Sequence, residues 1–224
     1  MLFVFAKIAA EMREGETRDF DQFLLLAFRS KTDLYEPLGP SWLVEVMRDI
    51  TALGSFTVLG LVTFSVAGFL MLTQKRHAAG IVVLSIISGT LVSSVLKWLF
   101  ARPRPDLVPH ATMVYTQSFP SGHAMLSAVV YLTLGALLAR TQAEPKVKVY
   151  LLLLAMGLTL TVGISRVYLG VHWPTDVLAG WAGGACWALL WWGITLWLQS
   201  KGKVELPSVS VALPTPSTTG DPSQ

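Results

Sequence analysis

Cysteine is nearly absent from this chain: Cys186 is the only one, and it lies inside an apolar run. A disulfide framework and a thiolate metal site are therefore both excluded, and Cys186 is given no role. Charge is also scarce. Only 14% of the 224 residues are Asp, Glu, Lys or Arg, against about 25% in soluble domains. The net charge of +3 is small, and the basic residues cluster near the ends of apolar runs. That distribution suits membrane topology and argues against a nucleic-acid surface. What is abundant is apolar side chain, 53% of the sequence, with a mean hydropathy of +0.56. The composition is that of an integral membrane protein, and the length is that of one domain.

Five runs have spanning length: Thr51–Leu72, Ala79–Leu99, Gly122–Ala139, Val147–Ile164 and Asp176–Leu198. A bilayer crossing needs roughly 20 apolar residues. Met1–Ala10 is too short for that and reads as the tail end of a first membrane helix. The expected fold is thus an all-α, polytopic helical bundle of five to six transmembrane helices. Phe20–Arg29 and Trp42–Ile50 have the pattern of short amphipathic helices, parted by Pro37, Gly39 and Pro40, lying at the membrane surface or capping other helices. Residues 1–203 are expected to form a single membrane-embedded domain, with 1–50 holding the partial helix and surface helices. The Pro-, Ser- and Thr-rich stretch 204–224 reads as a disordered tail. Lys75, Arg76, Arg140, Lys146, Lys148, Lys201 and Lys203 mark one side as cytoplasmic by the positive-inside rule. The loops 100–121 and 166–175 then share the opposite face.

That opposite face carries charges against the topogenic trend, in three segments. KWLFARPRP, from Lys97 to Pro105, closes the second run. Lys97 alone is what a snorkelling anchor looks like, but Arg104 is held between two prolines in a stiffened, extended stretch. FPSGH, from Phe119 to His123, opens the third run. Ser121 is suited to cap that helix, and Gly122 with the free N–H groups of the helix start suits a phosphate. SRVYLGVHWPTD, from Ser165 to Asp176, precedes the last run. Pro174 fits the first turn of a helix, and His172 and Asp176 are four apart. Such spacing puts a carboxylate in reach of an imidazole, fixes its tautomer and leaves the other nitrogen free. By itself such a pair is more often a structural hydrogen bond. Together the segments supply Lys97, Arg104 and Arg166 as cations and His123 and His172 as acid, base or nucleophile. A phosphoryl group carries about −1.5 to −2 charge, so the set has the makings of a phosphoryl-transfer site. The residues alone leave open which histidine is the nucleophile. Arg102 and His110 hold no motif position and are assigned to a solvated loop.

K-x6-R-P, P-S-G-H and S-R-x5-H-x3-D, in that order and without substitution, resemble the signature of the type 2 phosphatidic acid phosphatase superfamily. That superfamily also includes bacterial acid phosphatases and vanadium haloperoxidases. The resemblance implies a membrane phosphatase acting on a lipid phosphate or polyprenyl diphosphate, with phosphatidic acid, phosphatidylglycerol phosphate, undecaprenyl diphosphate or a lipid A phosphate as substrate. It implies that His172 attacks phosphorus, that Asp176 orients it, and that His123 protonates the leaving oxygen and then activates water. Lys97, Arg104, Ser121, Gly122 and Arg166 would hold the phosphate oxygens. No metal and no cofactor is implied, because the cations supply the electrostatics. The site is expected on the extracytoplasmic face of a bacterial cell membrane. A vanadate-dependent haloperoxidase is the second enzyme reading, and a soluble one, which the apolar runs oppose. A lipid-binding or transport protein is the non-enzyme reading, and it gives no reason for three motifs on one face.

Overall fold

The computed structural model describes residues 1–114 and 116–204. The expected disordered tail lies outside the described residues apart from Val204. Eight helices account for nearly all the order: α1 (Leu2–Glu14), α2 (Arg18–Leu26), α3 (Ser41–Ala52), α4 (Phe56–Leu72), α5 (Arg76–Phe100), α6 (Gly122–Thr141), α7 (Pro145–Tyr168) and α8 (Pro174–Ser200). The described residues contain no strand, only an isolated bridge between Arg29 and Pro37.

Four of these, α5 to α8, are long and apolar enough to cross a membrane. The fifth expected run passes the same length and composition test as a bent pair of helices, α3 with α4, and not as one straight helix. Thr51–Leu72 is not one helix: α3 and α4 meet at an angle of 44°. Ser55 is extended there and accepts from the Val58 N–H at 3.2 Å, so α4 has its own capped start. A serine that prefers the cap geometry thus breaks a run whose hydropathy alone is continuous. The two short amphipathic helices form near the expected positions, as α2 and α3, and Met1–Ala10 forms most of the 13-residue α1. That helix lies against the site end of α8: Phe5, Ile8, Ala9 and Met12 pack with Phe119 and Ala179.

The bundle is organised around α6, whose residues from Ala124 to Val130 are buried apart from Leu126. Both α7 and α8 pack along it, and against α8 small residues set the distance. A Cβ on Gly180 would come within 2.8 Å of the Ser121 carbonyl, and one on Gly184 within 2.4 Å of the Met125 carbonyl. Two glycines one turn apart let the backbones touch, which is how helices associate where lipid offers no hydrophobic drive. Large side chains face outward instead, among them Leu61, Phe64, Leu84, Leu153 and Leu189, all exposed. This is the inside-out arrangement of an integral membrane protein. The close approach also brings two helix starts together, because the Ser121 N–H donates to the Asp176 carbonyl at 2.9 Å.

Candidate active site

All three sequence motifs meet at one end of the bundle. The last turn of α5 carries Lys97, the first turn of α6 carries His123, and the last turn of α7 carries Arg166. His172 lies in the short α7–α8 connection and Asp176 at the third position of α8. The α3–α4 corner closes over them: a Cβ on Gly54 would sit 3.3 Å from the His123 Cβ.

His172 is 1% exposed and Asp176 is fully buried. The Asp176 carboxylate folds back on the helix start, accepting the Trp173 N–H at 2.9 Å. The same oxygen, Oδ2, accepts the Ser118 hydroxyl and lies 3.4 Å from His172 Nδ1. Ser118 Oγ is itself 3.3 Å from Nδ1. On the far side of the ring, Arg104 Nη1 is 3.1 Å from Nε2. A guanidinium has only donors, so Nε2 accepts and the ring proton resides on Nδ1, facing the carboxylate. The tautomer leaves the Nε2 lone pair on the side of Arg104, away from the carboxylate.

The cations converge without carboxylate partners. Lys97 Nζ donates to the Gln117 carbonyl at 2.6 Å, and its Cε would lie 3.4 Å from a Cβ on Gly122. Arg104 donates to the Thr116 carbonyl at 2.8 Å and the Val171 carbonyl at 2.5 Å. Arg166 is 3% exposed; it donates to Thr51 Oγ1 at 2.9 Å, while its Nε has no partner. Among the described residues no acid pairs with any of the three. Ser121 caps α6 as expected, its hydroxyl accepting from the Ala124 N–H at 3.4 Å. The Gly122 and His123 N–H groups have no acceptor among the described residues, and neither does the His123 ring. The result is a convergence of three cations, two free amides and two imidazoles, a constellation suited to a tetrahedral oxyanion. No group of three His, Cys, Asp or Glu side chains that could hold a metal occurs among the described residues.

Burial, then the charges of Arg104, Arg166, Lys97 and His123, hold the His172 pKa well below its ordinary 6.5. The ring is therefore neutral. In acid the unfolded chain takes up a proton that the folded site refuses. His172 therefore makes the fold less stable as pH falls below about 6.5 and has no such effect above it. Nitrogen-15 spectra of histidine-labelled protein at pH 6, assigned against a His172→Ala sample, are expected to show His172 neutral and protonated on Nδ1. A doubly protonated ring at that pH would contradict the geometry.

Three site residues escaped the sequence reading. Ser118 stands just outside the quoted FPSGH. Arg102, assigned above to a solvated loop, is instead largely buried, with its side chain 13% exposed and bonded to Asp21 and Asp176. Asp21 of α2, buried and bonded to Thr175, is the third. His110 is exposed as expected, its ring 2.7 Å from the Pro105 carbonyl.

A family model described as the PAP2 superfamily matches residues 78–200. The phosphatidylglycerophosphatase B of Bacillus subtilis is 39% identical over 150 residues, which are 64% of this chain and 70% of that protein. The undecaprenyl-diphosphatase of Sulfolobus acidocaldarius is 30% identical over 146 residues, covering 62% of this chain and 65% of that one. Among solved structures, the transmembrane PAP2 type phosphatidylglycerolphosphate phosphatase from Bacillus subtilis superposes with a TM-score of 0.79 at 30% identity, over 88% of this chain and 94% of that chain.

Proposed function

The chain belongs to the PAP2 superfamily, and on that footing we propose that it removes phosphate from a membrane lipid through a phosphohistidine on His172. The relatives named above are lipid phosphatases, and this chain is a hydrolase of the same kind. The observation that carries the site reading is the set of three cations, Lys97, Arg104 and Arg166, gathered without a neutralising acid around a neutral His172. Positive charge of that density, with Arg166 buried, calls for an anion, and the free Gly122 and His123 N–H groups at the start of α6 add donors beside it.

The incoming phosphate takes over the donors of Arg104, freeing the Nε2 lone pair. Nε2 then forms a bond to phosphorus as the bond from phosphorus to the lipid oxygen breaks. His123 gives its proton to that oxygen, the phosphate dianion having offset the surrounding cations. In the second half His123 takes a proton from water, the resulting hydroxide attacks phosphorus, and the N–P bond breaks to release phosphate. Asp176 stays ionised as the counter-charge to His172 while that ring is positive. The positive-inside pattern supports an extracytoplasmic site, because Lys75, Arg140 and Lys201 lie at the opposite helix ends.

A lipid tail has a place beside this site. An apolar groove of about 390 Å³ runs between α4, α5 and α6, lined by Phe56, Leu59, Gly60, Phe64, Ile86 and Leu126 among others. Leu126 is one turn from His123, and Phe56 follows the Gly54 corner that covers it. A tail in the groove would leave the head group among the cations. Assay of the purified protein in detergent against phosphatidic acid, phosphatidylglycerol phosphate, undecaprenyl diphosphate and a lipid A phosphate is expected to release phosphate from at least one. Release from none overturns the reading. A Cβ on Gly60 meets nothing within 4 Å, so Gly60→Phe can fill the groove without a backbone clash. It is expected to raise KM about tenfold for a long-chain substrate, the worth of roughly two buried methylenes, and to leave a short-chain analogue unchanged.

A further inference from the structure

The imidazole of His172 is the end of a longer series of paired groups that begins on α2. Asp21 Oδ1 accepts the Thr175 N–H at 2.8 Å, and Oδ2 accepts the Thr175 hydroxyl and Arg102 Nη2, both at 2.7 Å. Arg102 Nη1 donates to Asp176 Oδ1 at 2.6 Å and to Thr175 Oγ1 at 2.9 Å. Asp176 Oδ2 then faces Ser118 and His172 Nδ1. The guanidinium also lies over the Trp173 ring, 5.6 Å from its centroid. Asp21 is 1% exposed on a nine-residue helix that is otherwise mostly surface. Burying a carboxylate there is costly unless each oxygen is bonded, and here each one is.

We propose that Asp21 and Arg102 are positioning residues for His172, acting through Asp176, so that α2 is a working part of the active site. This rests on the phosphohistidine reading above. Two features of the geometry carry it. First, Arg102 occupies one oxygen of Asp176, which leaves the other turned toward His172. Second, Arg102 is only two residues from Arg104 yet is held away from the phosphate site by two carboxylates. Asp21 therefore both anchors the guanidinium and stops it from joining the phosphate-binding cations. The one-acid, one-cation pairing of Asp21 with Arg102 leaves the full charge of Asp176 to balance His172 when phosphorylation makes that ring positive. Neither residue bonds to Lys97, Arg104 or Arg166, so their influence falls on turnover and not on substrate binding.

The test uses the full chain in detergent and compares wild type with Asp21→Asn, Arg102→Met, the double variant, Thr175→Val and His172→Ala. Phosphate release gives kcat and KM, alkaline quenching measures phosphoenzyme, and thermal unfolding reports the fold. Arg102→Met is expected to lower kcat about 100-fold and Asp21→Asn about tenfold, the range that outer partners of ligating groups show. KM should stay within about twofold of wild type in both. The double variant should be no slower than Arg102→Met, since both act through one series. Thr175→Val, the mildest change, should cost a few-fold in kcat at unchanged KM; it keeps the test decisive if the charge variants do not fold. Wild-type kcat in Asp21→Asn, Arg102→Met or Thr175→Val overturns the proposal, as do losses that multiply in the double variant or that only follow the folded fraction. His172→Ala separates the two readings. If it is active, the phosphohistidine reading fails; if it is inactive while the α2-side variants run at full rate, only the present inference fails.

Discussion

Replacing His172 by alanine is expected to lower phosphate release by a factor on the order of 10⁵, the scale seen when a covalent nucleophile is removed. The expectation follows from the position of its Nε2: of the two imidazoles that meet at the site, that of His172 has a fixed lone pair and a carboxylate behind the ring. His123 cannot take over, since its ring has no acidic partner among the described residues. The control is structural. The ring is buried between Arg104 and Asp176, so its loss leaves a cavity and costs about 2–4 kcal/mol of stability. His172→Asn, which fills more of that volume, should be equally inactive with a smaller drop in unfolding temperature. Alkaline quenching during turnover should trap phosphoenzyme in the wild type and none in either variant. Turnover by His172→Ala at even a hundredth of the wild-type rate would remove the residue from the mechanism.

Asp176→Asn should lower kcat by about 10³ to 10⁴, as the same change does in other acid–histidine pairs. An asparagine has nearly the same shape but one end of it donates. Four donors point at this carboxylate: Arg102 at one oxygen, and Trp173, Ser118 and His172 at the other. Whichever way the amide turns, one donor faces another donor in a buried site. On the proposed mechanism the variant also lacks the negative charge that would stabilise a positive, phosphorylated ring. A loss of about 1–3 kcal/mol in stability is expected as well, because the buried donors of Arg102, Trp173 and Ser118 lose a charged acceptor. Measured KM should move little, since Asp176 points away from the phosphate site. A rate within tenfold of wild type would show that the tautomer and charge of His172 do not depend on this carboxylate.

Much of this site was legible along the chain because its parts are local patterns. The His172–Asp176 spacing is four residues, and Pro174 places the helix start that makes the spacing useful. Ser121 precedes a long apolar helix and caps it. Runs of lipid-compatible length became α5 to α8 with ends within a few residues of the expected ones. Where the reading failed, a short-range preference competed with hydropathy. The run from Thr51 to Leu72 is continuously apolar, yet Ser55 restarts the helix and turns Thr51 inward to serve Arg166.

Residue identity and spacing along the polypeptide determined the membrane-spanning architecture, the three motifs and the chemistry those motifs can perform, since helix periodicity, caps and charge in apolar surroundings are properties of neighbours. Only the folded molecule decided that Arg102 turns inward to two carboxylates and that α2 reaches the site. Asp21 and Arg102 are 81 residues apart, and Arg102 and Asp176 are 74 apart. No local pattern encodes such pairs. They exist because glycines at 180 and 184 draw α8 onto α6 and so bring the α5–α6 loop and the N-terminal helices over one pair of helix starts.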